Sequence, residues 1–345
     1  MLLRTEEELR LQFRRRTLDH MRFVTSLLAL ACCVSAQDPV IRTTVPLILV
    51  PTSVEDRRGK PIPALVESDF EILDNGRPVK HSLEVTNQPI ALVVAIQTSA
   101  IAGPALAKVQ KIGSMFEPLV VGEGGTAAIV TYSDHITVWQ PFTRSADEFT
   151  RRMSKIEPDR DSDMKARMND AVLESVKLLE SRSSAAEKYR RVLVVIGESR
   201  DRGSDAKLQD AVTRAQAANV TVYPVNYSVY KTSYTTKGDE RFKGSGERVY
   251  NTDPGNLLAI FTEIGRLSTQ NAGDALAKFT GGEKVSFARL AGLERVIAKV
   301  GDDLHTQYLL SFVAQNTEAG TYHRITVNVK RPEAQVRARP GYWAE

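Results

Sequence analysis

The chain has 345 residues, a formal net charge of +4, and 42% hydrophobic against 26% charged residues. That length holds one large core or two modest ones, and the composition is that of a globular protein. The near-balanced charge shows no concentrated basic stripe, so no nucleic-acid partner is expected.

The first predicted element is a leader. From Met21 the chain reads Met-Arg-Phe-Val-Thr-Ser-Leu-Leu-Ala-Leu-Ala-Cys-Cys-Val-Ser-Ala36. One Arg precedes an apolar stretch of signal-peptide length, and the small residues Val34 and Ala36 stand at cleavage spacing. Residues 1–36 therefore read as a leader, starting at Met1 or Met21; a buried N-terminal helix is the competing reading. Cys32 and Cys33 are the only cysteines. The mature chain would have none, which excludes disulfides, thiolate catalysis and cysteine metal sites. Leu30-Ala31-Cys32 also carries a lipoprotein reading, with Cys32 lipidated after cleavage. After Ala36 no apolar stretch is long enough to span a bilayer, so the expected location is periplasmic or extracellular.

Residues 37–88 read as strands. Val45 to Val54 alternates loosely around Pro46 and Pro51, which suits an edge strand. Asp74-Asn75-Gly76 between two strand-like runs is the strongest short hairpin signal. Residues 89–304 then alternate strands and helices. Ala91 to Gln97 is a short apolar run, read as a buried strand of a parallel sheet. Pro104 opens a helix with a stripe of Leu106, Val109, Ile112 and Phe116, ending before Pro118. Thr126–Ser133 and His135–Gln140 read as strands around Asp134, and Ser145-Ala-Asp-Glu148 as a capping box. A helix near 167–180, a strand at 192–196, a helix around Leu208, Val212 and Ala215, and a strand at 220–225 follow. Residues 305–345 return to strands. The expected fold is α/β, a doubly wound and mostly parallel sheet, inserted in a small all-β sandwich that the N- and C-terminal segments form together.

The strand ending at Gln97-Thr98-Ser99 resembles the first strand of a von Willebrand factor type A (VWA) domain. Asp69-Phe-Glu-Ile-Leu-Asp-Asn-Gly76, Tyr308-Leu-Leu-Ser-Phe312 and Arg339-Pro-Gly-Tyr-Trp343 extend the resemblance to an exported bacterial VWFA-related (acidobacterial-type) group. In the VWA family that strand ends Asp-x-Ser-x-Ser and holds a divalent metal, the metal-ion-dependent adhesion site. Here the five positions read Gln97-Thr98-Ser99-Ala100-Ile101. A second loop supplies Thr four residues before Asp-Ala-Ile/Val, and Asp170-Ala171-Val172 places Ala166 there. A third loop supplies Asp where this chain has Glu198. Mg²⁺ wants oxygen ligands with carboxylate charge. The resemblance therefore implies a degenerate site without a metal or other cofactor. If Mg²⁺ or Ca²⁺ did bind, Gln97, Ser99 and Glu198 would hold it.

What the resemblance implies is protein–protein interaction, with another protein as partner. The expected face comprises Gln97, Thr98, Ser99, Ala166, Glu198 and Asp201. The stretch 226–254 would add Tyr227, Tyr230 and Tyr234 as a Tyr-rich loop leaving the strand at 220–225. The competing class is a purely structural envelope module. An enzyme is not expected. Gly197-Glu198-Ser199-Arg200-Asp201 comes near the Gly-x-Ser-x-Gly elbow, with Asp253 and His305 in a permissible order, but Arg200-Asp201 fits the tight elbow poorly. The five His show no metal-ligand spacing. Asp159-Arg-Asp161-Ser-Asp163 lacks the Gly and distal Glu of a calcium loop and reads as a solvated loop.

Overall fold

The structure is a computed structural model, described here for residues 47–84, 88–162, 165–182, 189–227, 264, 271–287, 289–314, 318 and 320–344. All of these belong to one compact unit, Pro46–Glu345. The expected leader lies outside them.

The chain opens in the sandwich. Strand β1 (Leu47–Glu55) is followed by β2 (Phe70–Asp74), β3 (Arg77–Val79) and β4 (His81–Glu84). The β2–β3 turn forms as expected: Asn75 and Gly76 both have positive φ, 49° and 78°. That is the geometry whose twist matches paired strands, and these two residue types tolerate it. Four strands return from the C-terminal end: β11 (Tyr308–Val313), β12 (Tyr322–Val329), β13 (Gln335–Ala338) and β14 (Gly341–Trp343). They interleave with the first four in two sheets, ordered β13-β1-β11-β4 and β14-β12-β2-β3. Val50 and Leu310 from one sheet share a core with Ile72 and Tyr342 from the other. Ring pairs cross the gap, Phe70–Tyr308 at 5.2 Å and Phe312–Tyr342 at 5.8 Å.

One expectation changes here. β1 is internal, because β11 pairs with Leu47–Thr52 and β13 with Thr52–Glu55. Pro51 is tolerated because it falls where β1 has only β11 beside it.

Between the two halves runs the α/β unit. Its sheet contains β5 (Ile90–Gln97), β6 (Thr126–Tyr132), β7 (Ile136–Thr143), β8 (Arg190–Gly197), β9 (Val220–Tyr227) and β10 (Val285–Phe287), in the order β10-β9-β8-β5-β6-β7. All pairings are parallel except that of the edge strand β7 with β6. Alternation along β5 feeds two cores. Leu92, Val94 and Ile96 face one, which is built with α1 (Gly103–Val109), α2 (Gly113–Phe116), α3 (Ala146–Met153) and α7 (Leu290–Thr306). Ala91, Val93 and Ala95 face the other, built with α4 (Met168–Ser181), α5 (Leu208–Ala217) and α6 (Ala272–Thr280). Both faces are covered, which is why every residue of β5 is buried.

Local chemistry departs from the sequence reading in three places. The helix from Pro104 is not continuous: α1 ends at Val109, α2 restarts at Gly113, and a wider π-type turn over Glu117–Val121 carries the chain through Pro118. Gly113 is the reason α2 packs so closely, since a Cβ there would stand 3.0 Å from Thr150 Cα. At α3 only half of the capping box forms. Ser145 Oγ accepts the Glu148 N–H at 3.2 Å, while the Glu148 carboxylate accepts from Thr143 and Gln140 instead. Finally, β9 runs on to Tyr227, so Asn226 and Tyr227, expected as loop, belong to the strand.

A buried polar joint fastens sandwich to α/β unit. Asp303 on α7 accepts from Ser53 Oγ of β1 at 2.7 Å, Tyr223 Oη of β9 at 2.7 Å and Arg337 Nη2 of β13 at 2.5 Å. A buried carboxylate is tolerable only with such donors around it.

Candidate functional site

β5 has β6 on one side and β8 on the other, so the carboxyl ends of β5 and β8 mark the point where the chain reverses its direction of winding. Ligands of open α/β sheets bind at such points. The expected site residues gather here, but they are turned toward one another. Gln97 is 2% exposed and Ser99 fully buried. Gln97 Oε1 accepts the backbone N–H of Glu198 at 2.7 Å, and its Nε2 donates to Ser99 Oγ at 2.7 Å. Thr98 is fixed by its backbone: its N–H donates to Tyr132 O at 2.9 Å and its carbonyl accepts from the Asp159 N–H at 2.7 Å. Gly197 makes this closeness possible. A Cβ there would stand 2.0 Å from Tyr132 Oη and 3.0 Å from Gln97 Oε1. Burial, with the Asp201 and Glu198 charges, raises the Tyr132 hydroxyl far above its ordinary pKa, so it stays protonated in this corner.

The loops after β8 and before α4 are cross-braced. Ala166 and Arg202 exchange two backbone hydrogen bonds of 2.9 Å. Asp201 Oδ1 accepts the Asn169 N–H at 2.9 Å, in the first turn of α4, and the Ser204 hydroxyl at 2.6 Å. An orphan helix N–H is thereby satisfied from another loop. Asp170 answers in the opposite direction, accepting from Ala206 N–H at 2.9 Å and Asp205 N–H at 3.0 Å. Burial pushes the Asp170 carboxyl upward, but those two N–H groups and Arg167 outweigh it and hold it below the usual carboxylate range. Arg167 also pairs with exposed Asp205. Glu198 lies 3.3 Å from the Arg202 guanidinium.

These residues do not fit a divalent cation. Ala166 brings only a methyl group and Ile101 only a hydrocarbon chain. The Gln97 amide oxygen is occupied by a backbone N–H and its amino group faces Ser99. Of Gln97, Ser99 and Glu198, only Glu198 is a carboxylate, and it already has a cation in Arg202. An ion would have to break this network and would gain one full charge.

Among the expected recognition residues, Gln97, Thr98, Ser99, Ala166 and Tyr227 are buried, and Glu198 and Asp201 are half-buried. Tyr227 is thus corrected from a surface residue to a core one. It is 5% exposed, and its ring lies 5.9 Å from that of Phe287. The cause is that β9 extends two residues further than its apolar run implied. Tyr230 and Tyr234 lie outside the described residues. The hydrolase arrangement is not assembled: Ser199 follows the carboxyl end of β8, whereas the His305 ring lies by Gly122, ahead of the amino end of β6. Asp253 lies outside the described residues.

A second cluster stands beside the first, and the sequence reading missed it. The turn Ser133-Asp134-His135 joins β6 to β7, and Asp159 reaches it from the loop after α3. Ser133 Oγ donates to Asp159 Oδ2 at 2.7 Å, and His135 Nδ1 lies 2.8 Å from Asp134 Oδ1. His135, followed by Ser133, holds the Asp134 carboxyl below its ordinary pKa. The loop at 159–162 is corrected from a merely solvated one: besides the Asp159–Thr98 bond, Ser162 Oγ donates to Asp159 O at 2.8 Å and accepts from Ala100 N–H at 3.3 Å. Histidine spacing along the chain could not reveal this group, because it is completed by a residue 24 positions further on. The available signal was an Asp-His pair in the turn just past a strand of the parallel sheet.

Residues 105–256 match the von Willebrand factor type A domain. The mostly parallel six-stranded sheet with helices on both faces is as in a VWA fold. Among solved structures it is similar to the conserved hypothetical protein BatB from Bacteroides thetaiotaomicron, at 12% identity and a TM-score of 0.40, covering 62% of this chain and 99% of that one. It is similar also to the von Willebrand factor type A protein from Catenulispora acidiphila, at 10% identity and a TM-score of 0.42, covering 88% of this chain and 64% of that one. The SpRpn10 VWA domain aligns at 15% identity with a TM-score of 0.35, over 61% of this chain and 94% of that one. No curated protein matches the chain.

Proposed function

We propose that the chain is an exported, non-enzymatic protein-binding module. In this reading residues 1–36 are the leader, 37–88 and 305–345 make the sandwich, and 89–304 make the VWA domain that another protein recognises. A VWA domain fits an adhesion-type or protein-interaction module. Among the described residues, no helix is long and apolar enough to cross a membrane.

The observation that carries the reading is the cross-bracing of the loops at the carboxyl ends of β5 and β8. Asp201 and Asp170 lock two loops to α4, and the loop carrying Asp159 is bonded to Thr98. A face held this way loses little conformational entropy on binding. With Gln97, Thr98, Ser99 and Ala166 inside it, contact falls to exposed residues of the same loops such as Arg160 and Arg200. Recognition then proceeds without an ion at Gln97, Ser99 and Glu198.

The test is a cross-linking pull-down from envelope extract, with wild type and an Arg160→Glu, Arg200→Glu double variant. Both residues are exposed, so the fold should survive. We expect a partner captured by the wild type and lost from the variant. Identical partner lists would defeat this reading and favour the second, a purely structural envelope module, which the burial of the Gln97–Ser99 turn also suits.

A further inference from the structure

We propose that Ser133, Asp134, His135 and Asp159 form a binding site for Zn²⁺, separate from the Gln97–Ser99 turn. The observation is a set of four donor atoms gathered to near the spacing of a coordination shell. Ser133 Oγ is 3.2 Å from Asp134 Oδ1 and 2.7 Å from Asp159 Oδ2. His135 Nδ1 is 2.8 Å from Asp134 Oδ1 and 3.6 Å from Asp159 Oδ2. Ligands about 2.0–2.1 Å from a Zn²⁺ ion stand roughly 2.9 to 3.4 Å from one another, from octahedral to tetrahedral geometry. The Asp134, His135 and Asp159 ligand atoms all lie within 4.8 Å of one another.

The backbone beneath these atoms is fixed. Ser133 N–H donates to His135 O at 3.0 Å, closing the turn, and Arg167 N–H donates to Ser133 O at 3.0 Å. Asp159 is fastened to Thr98 O from the other side. Donors from two loops, on backbone held by its own hydrogen bonds and joined only to one another at their tips, can turn to an ion without moving the chain.

Charge argues the same way. Two carboxylates converge, and among the described residues no lysine or arginine side chain pairs with either. Arg167 Nη1 donates to the Asp134 backbone carbonyl at 3.2 Å, while its guanidinium pairs with Asp170 and Asp205. A divalent cation would neutralise Asp134 and Asp159 together. An imidazole among oxygen donors selects a borderline ion such as Zn²⁺ over Mg²⁺ or Ca²⁺, which take oxygen shells. The His135 side chain is 67% exposed, so the ion has an open approach.

This site does not rest on the recognition reading, since a chain with no partner would still bind the ion. The test is calorimetric titration of the untagged full chain with ZnCl₂, in a Cys32→Ser, Cys33→Ser background that removes thiolate ligands. We expect one Zn²⁺ per chain, with affinity reduced at least 100-fold by His135→Ala and by Asp159→Asn and unchanged by Glu198→Gln. Co²⁺ should bind in its place with visible d–d absorption that both site variants abolish. Absence of binding at millimolar Zn²⁺, binding that survives both His135→Ala and Asp159→Asn, or binding lost in Glu198→Gln would each overturn the proposal. Circular dichroism of each variant separates lost binding from lost fold.

Discussion

The turns after β5 and β6 leave neighbouring parallel strands at the same end of one sheet, yet they use their polar side chains in opposite ways. After β5, Gln97 and Ser99 face each other and the Glu198 backbone, so the Gln97 amide is used at both ends within the turn. After β6, Asp134, His135 and Asp159 point their ligand atoms into one shared, half-open space. A position at a strand end is therefore no guarantee of a working site. What separates the two turns is burial: Gln97 and Ser99 are enclosed and bonded to backbone and to each other, which makes them structural, whereas the atoms of the β6 turn are bonded to one another at an accessible edge, which leaves them free to exchange partners.

That comparison can be broken by substitutions on each side, and the expected effects fall in order. Gly197→Ala drives a methyl group into Tyr132 Oη and Gln97 Oε1, with no slack in a fully buried corner. We expect a loss of about 3 kcal/mol in urea unfolding, at the upper end of the ordinary cost of overpacking. A variant as stable as wild type would mean that the β5 turn is looser than its hydrogen bonds indicate.

Asp170→Asn removes the carboxylate that receives Ala206, Asp205 and Arg167. A cost of about 1–2 kcal/mol at neutral pH is expected for hydrogen bonds of this charged kind. Because the folded-state pKa is lowered, the contribution is complete above the unfolded pKa of about 3.9 and disappears as pH falls through the folded value. The gap between wild type and variant should therefore be constant from pH 7 to pH 5 and close below pH 4. A gap that persists undiminished at pH 2 would show that charge is not its source.

His135→Ala should be the mildest. Its side chain is exposed and its bonds are to neighbours in the same turn, so thermal stability without metal should change by no more than about 0.5 kcal/mol. A loss near that of Asp170→Asn would place the β6 turn in the same structural class as its neighbour and erase the contrast.

Much of the fold was legible in the sequence because it rests on periodicity and turn chemistry. The unbroken apolar run at 91–97 marked a strand covered on both faces, and Asn75-Gly76 marked a hairpin that needs two positive φ values. The helix at 168–181 followed from Met168, Val172, Val176 and Leu179 on one face. Less visible were features where tertiary packing overrode a local signal: Pro51 in an internal strand, a π-type turn through Pro118, and β9 running on to bury Tyr227.

The site divided along the same line. By itself the sequence determined that Ile101 and Ala166 offer no ligand atom and that Gln97 carries no charge, since these follow from side-chain identity alone. Only the tertiary structure decided that the Gln97 amide is consumed by Glu198 N–H and Ser99, and that Asp159 comes round to Asp134 and His135. The physical reason is that donor geometry depends on distances between loops, and those are fixed by the parallel pairing of β5 with β6 and β8 rather than by any spacing along the chain.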